Sequence, residues 1–519
     1  MMEDLLTHAP ALLLAIPLLG AFLTPLIDRV NKKARSAWVI LILVVTQFIM
    51  MALAWDVFTQ GAHLYTMGAG DPTSTIPVQA AVPVRIVLQV DGMSAFMGLI
   101  SCTVSLAAAI YSLAFMDRES GKGRFFTLLL LMTVGMLGME FTGDMFNLFV
   151  FLEVLSIASA GLIAFRVYKG DAIEGAFKYI VISTLGALMV LFSVGLFYGQ
   201  YNLLNIAALA NVLEYTFLDK LALGLLIAAF AMKCGAVPMH MWTPDAYTVA
   251  PASITAMLVA ASQASLYALF RVCFTLYGVT LNLTTVGIII IALGLLSMFV
   301  GVTMAIPQKD IKRLMSYHAI SQTGYMLLGV GVGLYLLSKA EFDTYGLRAM
   351  EGGIFHIINH ALYKGLLFLT AGAIFYKVGT RNLEKMGGLA HSMKYTAIFF
   401  IIGALAIAGI PPLNGFASKL LIYESAYQVS PILSIVAMLV SILTLASFVK
   451  VFHSAFMGPR LDISDNREVP KSMLAGMAIL AVGIILFGLF PDWVVSHLVH
   501  PAAQALADQA GYIGSVGGV

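Results

Sequence analysis

Five lysines and one glutamate stand where an apolar chain has little use for charge. Lys178, Lys233, Lys364, Lys419 and Lys450 fall within or at the ends of long hydrophobic runs, and Glu153 closes the run Phe149-Val150-Phe151-Leu152-Glu153. Lys178 and Lys450 sit where a lysine can snorkel to a headgroup, whereas Lys233, Lys364 and Lys419 lie deeper. A charge near a bilayer centre costs at least about 2.5 to 3.5 kcal/mol, so such groups face a bundle interior, pair, or do work. His356, His360 and Lys364 recur at i, i+4 and i+8, which places them on one helix face over about 12 Å of rise. Asn359 flanks that stripe, and His318 and Gln322, one turn apart, can extend it. Titratable groups stacked this way can pass a proton along; a buried polar network that fixes helix positions is the other reading. Glu153 reads as the one acid well inside a span.

The elements that must position these residues follow from composition. Of 519 residues 60% are apolar and 11% charged, with a mean hydropathy of +0.93. A soluble domain carries roughly 25% charged residues, so the solvent for most of this chain is a lipid bilayer. A soluble enzyme, a nucleic-acid binder and a disulfide scaffold are excluded, and no nucleic-acid partner is expected. Cys102, Cys234 and Cys273 stand far apart, without metal-ligand spacing, so no metal or redox cofactor is expected in this chain. The string Gly329-Val330-Gly331-Val332-Gly333 lies in an apolar run and reads as helix packing rather than a phosphate loop. No basic flank precedes the first apolar run, so a cleaved signal peptide is not expected.

Fourteen apolar runs long enough to span predict an all-α integral membrane protein, with alternation over Pro83 to Val90 marking a short strand or hairpin outside the lipid. Loops after odd-numbered runs hold nineteen basic residues and the opposite side only five, Arg85, Lys220, Arg271, Lys339 and Arg348. That bias supports the count and predicts a multi-pass protein of the cell (plasma or inner) membrane with both termini outside. Lys178 to Lys364 and Lys233 to Lys419 are each 186 residues apart, an offset of five spans, which an inverted repeat of transporter type would produce. Both deep segments around Lys233 and Lys419 are interrupted, by Pro238 and by Pro411, Pro412 and Gly415, and broken helices beside ionisable groups point to an ion path. The expected organisation is residues 1–123 with three helices and the hairpin, 124–280 and 281–457 as two inverted five-helix repeats, and 458–519 with the last helix and a tail.

At these residues the chain resembles the antiporter-like subunits shared by Mrp-type sodium/proton antiporters, respiratory complex I and membrane-bound hydrogenases. Gly143-Asp144-Met145-Phe146-Asn147-Leu148 through Glu153 is similar to the family's fifth helix. Met232-Lys233 through Val237-Pro238-Met239-His240-Met241-Trp242-Thr243-Pro244-Asp245 resembles its most recognisable signature. Asp310-Ile311-Lys312-Arg313 through Tyr325 and Gly409-Ile410-Pro411-Pro412 through Lys419 resemble its tenth-helix entry and broken twelfth helix. The fifth-helix string and Lys419 look most like the Mrp D-type subunit, which also occurs in membrane-bound hydrogenase and sulfane-sulfur reductase. In this resemblance the fifth-helix glutamate pairs with the seventh-helix lysine. One departure is Gln263, where relatives carry a lysine four residues before a Tyr and eight before an Arg, here Tyr267 and Arg271.

The resemblance implies an ion-translocating subunit, for protons, sodium ions or both, in a multisubunit complex with other antiporter-like membrane subunits. A Mrp-related respiratory oxidoreductase such as a membrane-bound hydrogenase would add a redox module, with iron-sulfur or other redox centres only in the partner subunits. The expected ion-path residues are Glu153, Lys178, Lys233, His240, Gln263, His318, His356, His360, Lys364 and Lys419. A lysine beside a carboxylate keeps its proton and one left alone in apolar surroundings releases it, so opening a Glu153–Lys233 pair would drive a proton toward Lys364, His360 and Lys419. The alternatives are the D-type subunit of a stand-alone Mrp antiporter and a structural subunit whose ion sites have decayed, for which Gln263 is the best argument. A solute transporter or a membrane-embedded enzyme fits less well, because the polar residues are few and form no nucleophile-base set.

Overall fold

The computed structural model describes residues 2–69, 73, 86–278, 283–459 and 468–516. Arg85, Arg460, Arg467, the start of the expected strand at Pro83 and the division at residues 280 and 281 lie outside them. The first half runs α1 (Met2–Val30), α2 (Lys32–Gln60), β1 (His63–Thr66), β2 (Val87–Val90), α3 (Gly92–Phe115), α4 (Lys122–Phe141), α5 (Met145–Ile163) and α6 (Gly170–Tyr201). It continues through α7 (Ile206–Val212), α8 (Phe217–Cys234), α9 (Trp242–Val249), α10 (Ala252–Arg271), α11 (Leu283–Ala305), α12 (Ile311–Leu336) and α13 (Leu347–Val378). The remainder is α14 (Lys394–Ala408), α15 (Asn414–Val429), α16 (Pro431–Phe452), α17 (Lys471–Leu489), α18 (Pro491–Val494), α19 (His500–Ala507) and α20 (Gln509–Ser515). The expected hairpin is the antiparallel pair β1–β2, with Val87 opposite Thr66 and Val90 opposite His63.

Among the described residues twelve helices are long and apolar enough to cross a membrane. The two further spans expected from the sequence are the interrupted ones: α8, which carries Asp219, Lys220 and Lys233 and ends at a break, and the pair α14 and α15, split at residues 409–413. Breaking a helix shortens each piece below a full span, and non-helical backbone at that depth must be covered by protein. The most apolar stretch of α13 is 100% buried by neighbouring helices, while those of α16 and α17 are 33% buried. The helix that carries His356, His360 and Lys364 therefore runs through the middle of the bundle, and α16 and α17 lie at its rim.

Glycines allow the central helices to approach. A Cβ on Gly329 would stand 2.8 Å from the carbonyl oxygen of Ala349 and the Cα of Gly353, so the glycine string joins α12 to α13 as helix packing.

Similar local features recur in the two halves at spacings other than that of the lysines. Asp144 caps α5 and Asp310 caps α12, 166 residues on, and each forms an isolated bridge with an asparagine, Asn205 and Asn382, that are themselves 177 apart. The left-handed residues that end α6 and α13, Asn202 and Gly379, are also 177 apart. The two breaks are the same motif. Gly235 (φ 76°) and Gly409 (φ 80°) bond back three residues, and Ala236 and Ile410 bond back five, as in a Schellman stop. Those glycines are 174 apart, so Lys233, two residues before its break, corresponds to Ile407, and Lys419 lies ten residues beyond the second break. The breaks are thus spaced differently from the lysines, and Lys233 and Lys419 hold different places relative to them.

Three charges assigned to loops are interior among the described residues, Arg35, 5% exposed and bonded to Asp28 at 2.6 Å, being one of them. Lys312 is 3% exposed, and Arg271 is 3% exposed and bonds Asp91 at 2.7 Å. Arg271 also donates to Tyr267 Oη at 3.2 Å, and Tyr267 donates to the carbonyl of Glu140 at 2.9 Å, which ties α10 to α3 and α4. Arg271→Ala should destabilise the fold by about 3 to 5 kcal/mol, because it strands a buried carboxylate. A lowered thermal midpoint of the purified assembly, partly restored by adding Asp91→Asn, is the expected observation; an unchanged midpoint would show the pair to be idle.

Candidate functional site

Lys233 lies in the last turn of α8, two residues before the break at Gly235, and is buried in the bundle. Its ammonium donates to Ser156 Oγ of α5 and Ser183 Oγ of α6, both at 2.6 Å, and Ser183 donates to Ser156 at 3.0 Å. Among the described residues it forms no ion pair with Glu153, so the expected contact is replaced by two hydroxyls. Glu153 is half-buried one turn before Ser156, with Oε1 enclosed and unbonded. Residues at i and i+3 share a helix face, so Glu153 and Ser156 present alternative partners to one lysine. Neither serine stands out by type; a place one turn from Glu153, and one in the sixth run, are the only signals the sequence offers for them.

A small cavity beside Lys233 is lined by Lys233 itself with Ser156, Tyr179, Trp242, Ser262 and Ser265. Ser262 adjoins Gln263 on α10, and the Gln263 amide nitrogen donates to His360 Nδ1 and to the Ile357 carbonyl, both at 2.9 Å. Gln263 thus joins α10 to α13. Gln263→Ala would leave His360 without this partner and is expected to slow ion flux by about tenfold or less, with assembly retained. Flux assays on Gln263→Ala vesicles check this, and an unaltered rate would remove Gln263 from the path.

On α13 the expected face is realised, and all its members are buried. His356 stands 3.0 Å from Ser418 Oγ and donates from Nε2 to Gln322 Oε1 at 3.2 Å; Tyr363 Oη donates to the same oxygen at 3.2 Å. Lys364 donates to the Met315 carbonyl at 2.7 Å, and its ammonium lies 5.7 and 5.5 Å from the Phe368 and Phe448 ring centres. His318 Nε2 meets Ser447 Oγ at 2.8 Å. Lys419 donates to the Ile407 carbonyl at 2.7 Å and to Ser441 Oγ at 2.8 Å, over the ring of Tyr325 at 4.8 Å. Asn359 donates to the carbonyl of Asn414, next to the second break. Tyr363, absent from the expected set, closes the His356–Gln322 cluster.

Several buried polar atoms along this strip have no partner among the described residues: Gln263 Oε1, His318 Nδ1, Gln322 Nε2, Asn359 Oδ1 and His360 Nε2. Each costs about 1 to 3 kcal/mol if left dry.

Two expected members lie apart from the strip. Lys178 is exposed and pairs with Glu174 at 2.7 Å and Asp245 at 2.9 Å, and Asp245 also holds Arg313 at 2.8 Å. His240, at the first break, contacts the Pro238 carbonyl, at 3.3 Å. Lys450 bonds the carbonyls of Ile306 and Gln308 at a helix end, as a snorkelling lysine does. Nor is Glu153 the only acid inside a span. Glu140, near the end of α4, is 0% exposed and accepts from Ser101 Oγ at 2.6 Å, while its Oε2 is unbonded. Its place at the edge of a run makes it read as a boundary residue.

Broken helices flanking a buried lysine–glutamine–histidine strip define a membrane subunit built around an internal polar path. Residues 142–444 match the family described as NADH:quinone oxidoreductase/Mrp antiporter, TM, and residues 76–126 match the complex I chain 5 N-terminus. The chain belongs to this family of antiporter-like membrane subunits. It is 33% identical over 471 residues to the D-type subunit of the Na(+)/H(+) antiporter of Alkalihalophilus pseudofirmus, covering 89% of this chain and 90% of that one. It is similar to a chain of the Mrp complex from Dietzia sp. DQ12-45-1b, with a TM-score of 0.86, 26% identity and 99% of each chain covered. A chain of the membrane-bound sulfane sulfur reductase, an archaeal respiratory membrane complex, aligns with a TM-score of 0.84 and 27% identity, over 98% of this chain and 100% of that one. The structural relatives belong to multisubunit membrane complexes.

Proposed function

We propose that the chain translocates protons, sodium ions or both across the cell membrane, as the antiporter-like subunit of a Mrp-related respiratory complex of the hydrogenase or sulfane-sulfur reductase kind. The observation that carries this is the set of buried polar clusters: Lys233 with its serines, Gln263 bonded to His360, and Lys364, His356 and Lys419 beyond. Water bridging the unbonded polar atoms would complete a hydrogen-bonded route, since buried water supplies partners where protein does not. Glutamine carries no charge but relays hydrogen bonds, so the middle of the route depends on His360 and water. Redox centres would reside in partner subunits, and both termini would lie outside, as the basic-loop bias supports.

In the working cycle Lys233 exchanges between the hydroxyls of Ser156 and Ser183 and the carboxylate of Glu153. Beside the carboxylate it is loaded; away from it the proton is driven toward the second half. The similarity to the D-type subunit of a Na(+)/H(+) antiporter supports a second reading, in which the chain serves a stand-alone antiporter. Purification of the native assembly and its reconstitution into liposomes tests both. Ion flux driven by a redox substrate supports the respiratory reading, and flux driven only by an opposing ion gradient supports the second. An assembly without flux under either drive would leave a structural subunit.

A further inference from the structure

A second polar feature lies apart from the strip, on the face that gathers the basic loops. A cavity of about 450 Å³ opens between the end of α3, the start of α6, the link from α9 to α10, the start of α12 and the end of α13. Five basic side chains line it, Arg166, Lys169, Lys309, Lys312 and Arg381, against two acidic ones, Asp171 and Asp310. A neighbouring hollow of about 330 Å³ shares Arg166 and Lys169 with it and adds Arg118, Lys377 and Glu119. A concave site with a surplus of one charge focuses the field and concentrates counter-ions.

The cations are unevenly neutralised. Arg166 pairs with Glu119 at 2.7 Å, Arg381 with Asp310 at 3.0 Å, and Lys309 with Glu384 at 2.7 Å. Lys169 forms no ion pair among the described residues, and its ammonium lies 5.5 Å from the Phe375 ring centre. Lys312, 3% exposed, also lacks a carboxylate partner among the described residues and donates to the Ala250 carbonyl, at 2.5 Å. A buried cation opposite one carbonyl is poorly compensated, and an anion in the cavity would complete it. Arg381 is committed to Asp310, Asp171 and the Thr248 carbonyl, whereas Arg166 gives its Nε to Glu119 and keeps terminal N–H donors of the kind that suit a tetrahedral oxyanion.

We propose that this cavity binds a phosphate-type oxyanion, carried either by free inorganic phosphate or by the headgroup of an anionic phospholipid. The site is independent of the ion path, since none of its lining residues belongs to the strip.

The intact assembly is placed in nanodiscs of phosphatidylcholine and titrated with inorganic phosphate, followed by broadening of the phosphorus NMR signal. A parallel sample containing phosphatidylglycerol is analysed by native mass spectrometry for retained lipid. Saturable phosphate binding identifies the solute as the source, and retained phosphatidylglycerol identifies the headgroup. In either arm Lys169→Gln, a change at a half-buried position outside the core, is expected to weaken binding about tenfold, and Lys312→Gln at least as much. Binding in neither arm, or equal binding by the wild type and Lys169→Gln, overturns the proposal.

Discussion

Lys233→Ala is expected to reduce ion flux by about a hundredfold or more while the complex still assembles, because it removes the protonatable group on which the first half of the path turns. The geometry makes the loss specific. Lys233 is held by two serine hydroxyls at 2.6 Å rather than by a carboxylate, so its removal strands no buried anion in this arrangement. The cost to folding is that of two hydrogen bonds and a small void, about 1 to 3 kcal/mol, set against a gain from no longer burying an ammonium. Ser156→Ala or Ser183→Ala removes one anchor and leaves the charge, and should slow flux only a few-fold. Flux in vesicles from each variant, normalised to assembled complex, is the measurement. Wild-type rates in Lys233→Ala would sink the proposed path.

Glu153→Gln carries the second large effect, also expected to bring flux down by about a hundredfold. In this arrangement Glu153 makes no ion pair among the described residues, so the amide should leave the packing and the Lys233–serine contacts unchanged. What the variant lacks is the charged partner that recaptures Lys233 and reloads it. A defect in turnover with an unaltered thermal midpoint is therefore the signature, and it differs from that of Arg271→Ala, where the midpoint itself falls. If Glu153→Gln transports normally, Lys233 must be reloaded by another group, and the buried carboxyl of Glu140 becomes the next to test.

Most of the architecture is legible in the chain because lipid penalises charge so heavily. The stripe of His356, His360 and Lys364 needs only the helical period, and all three residues are buried as that stripe requires. The two breaks are legible because proline and glycine cluster there beside an ionisable residue, whereas the isolated prolines Pro10, Pro17 and Pro25 leave α1 continuous. Glu140 is obscured for the opposite reason: a carboxylate at the end of a run looks like a boundary until α3 is seen packed over it, with Ser101 at 2.6 Å.

By itself the sequence determines that this is a multi-pass helical membrane protein with a few buried titratable groups and two broken helices, because those properties depend on composition and local spacing. The partners of those groups and the register of the repeat depend on distances between helices far apart in the chain. Only the tertiary structure decided that Lys233 rests on Ser156 and Ser183, that Gln263 meets His360, and that the two breaks share one hydrogen-bonding pattern 174 residues apart. The physical reason is that insertions in the links change sequence spacing freely, while close packing of the helices determines which side chains can touch.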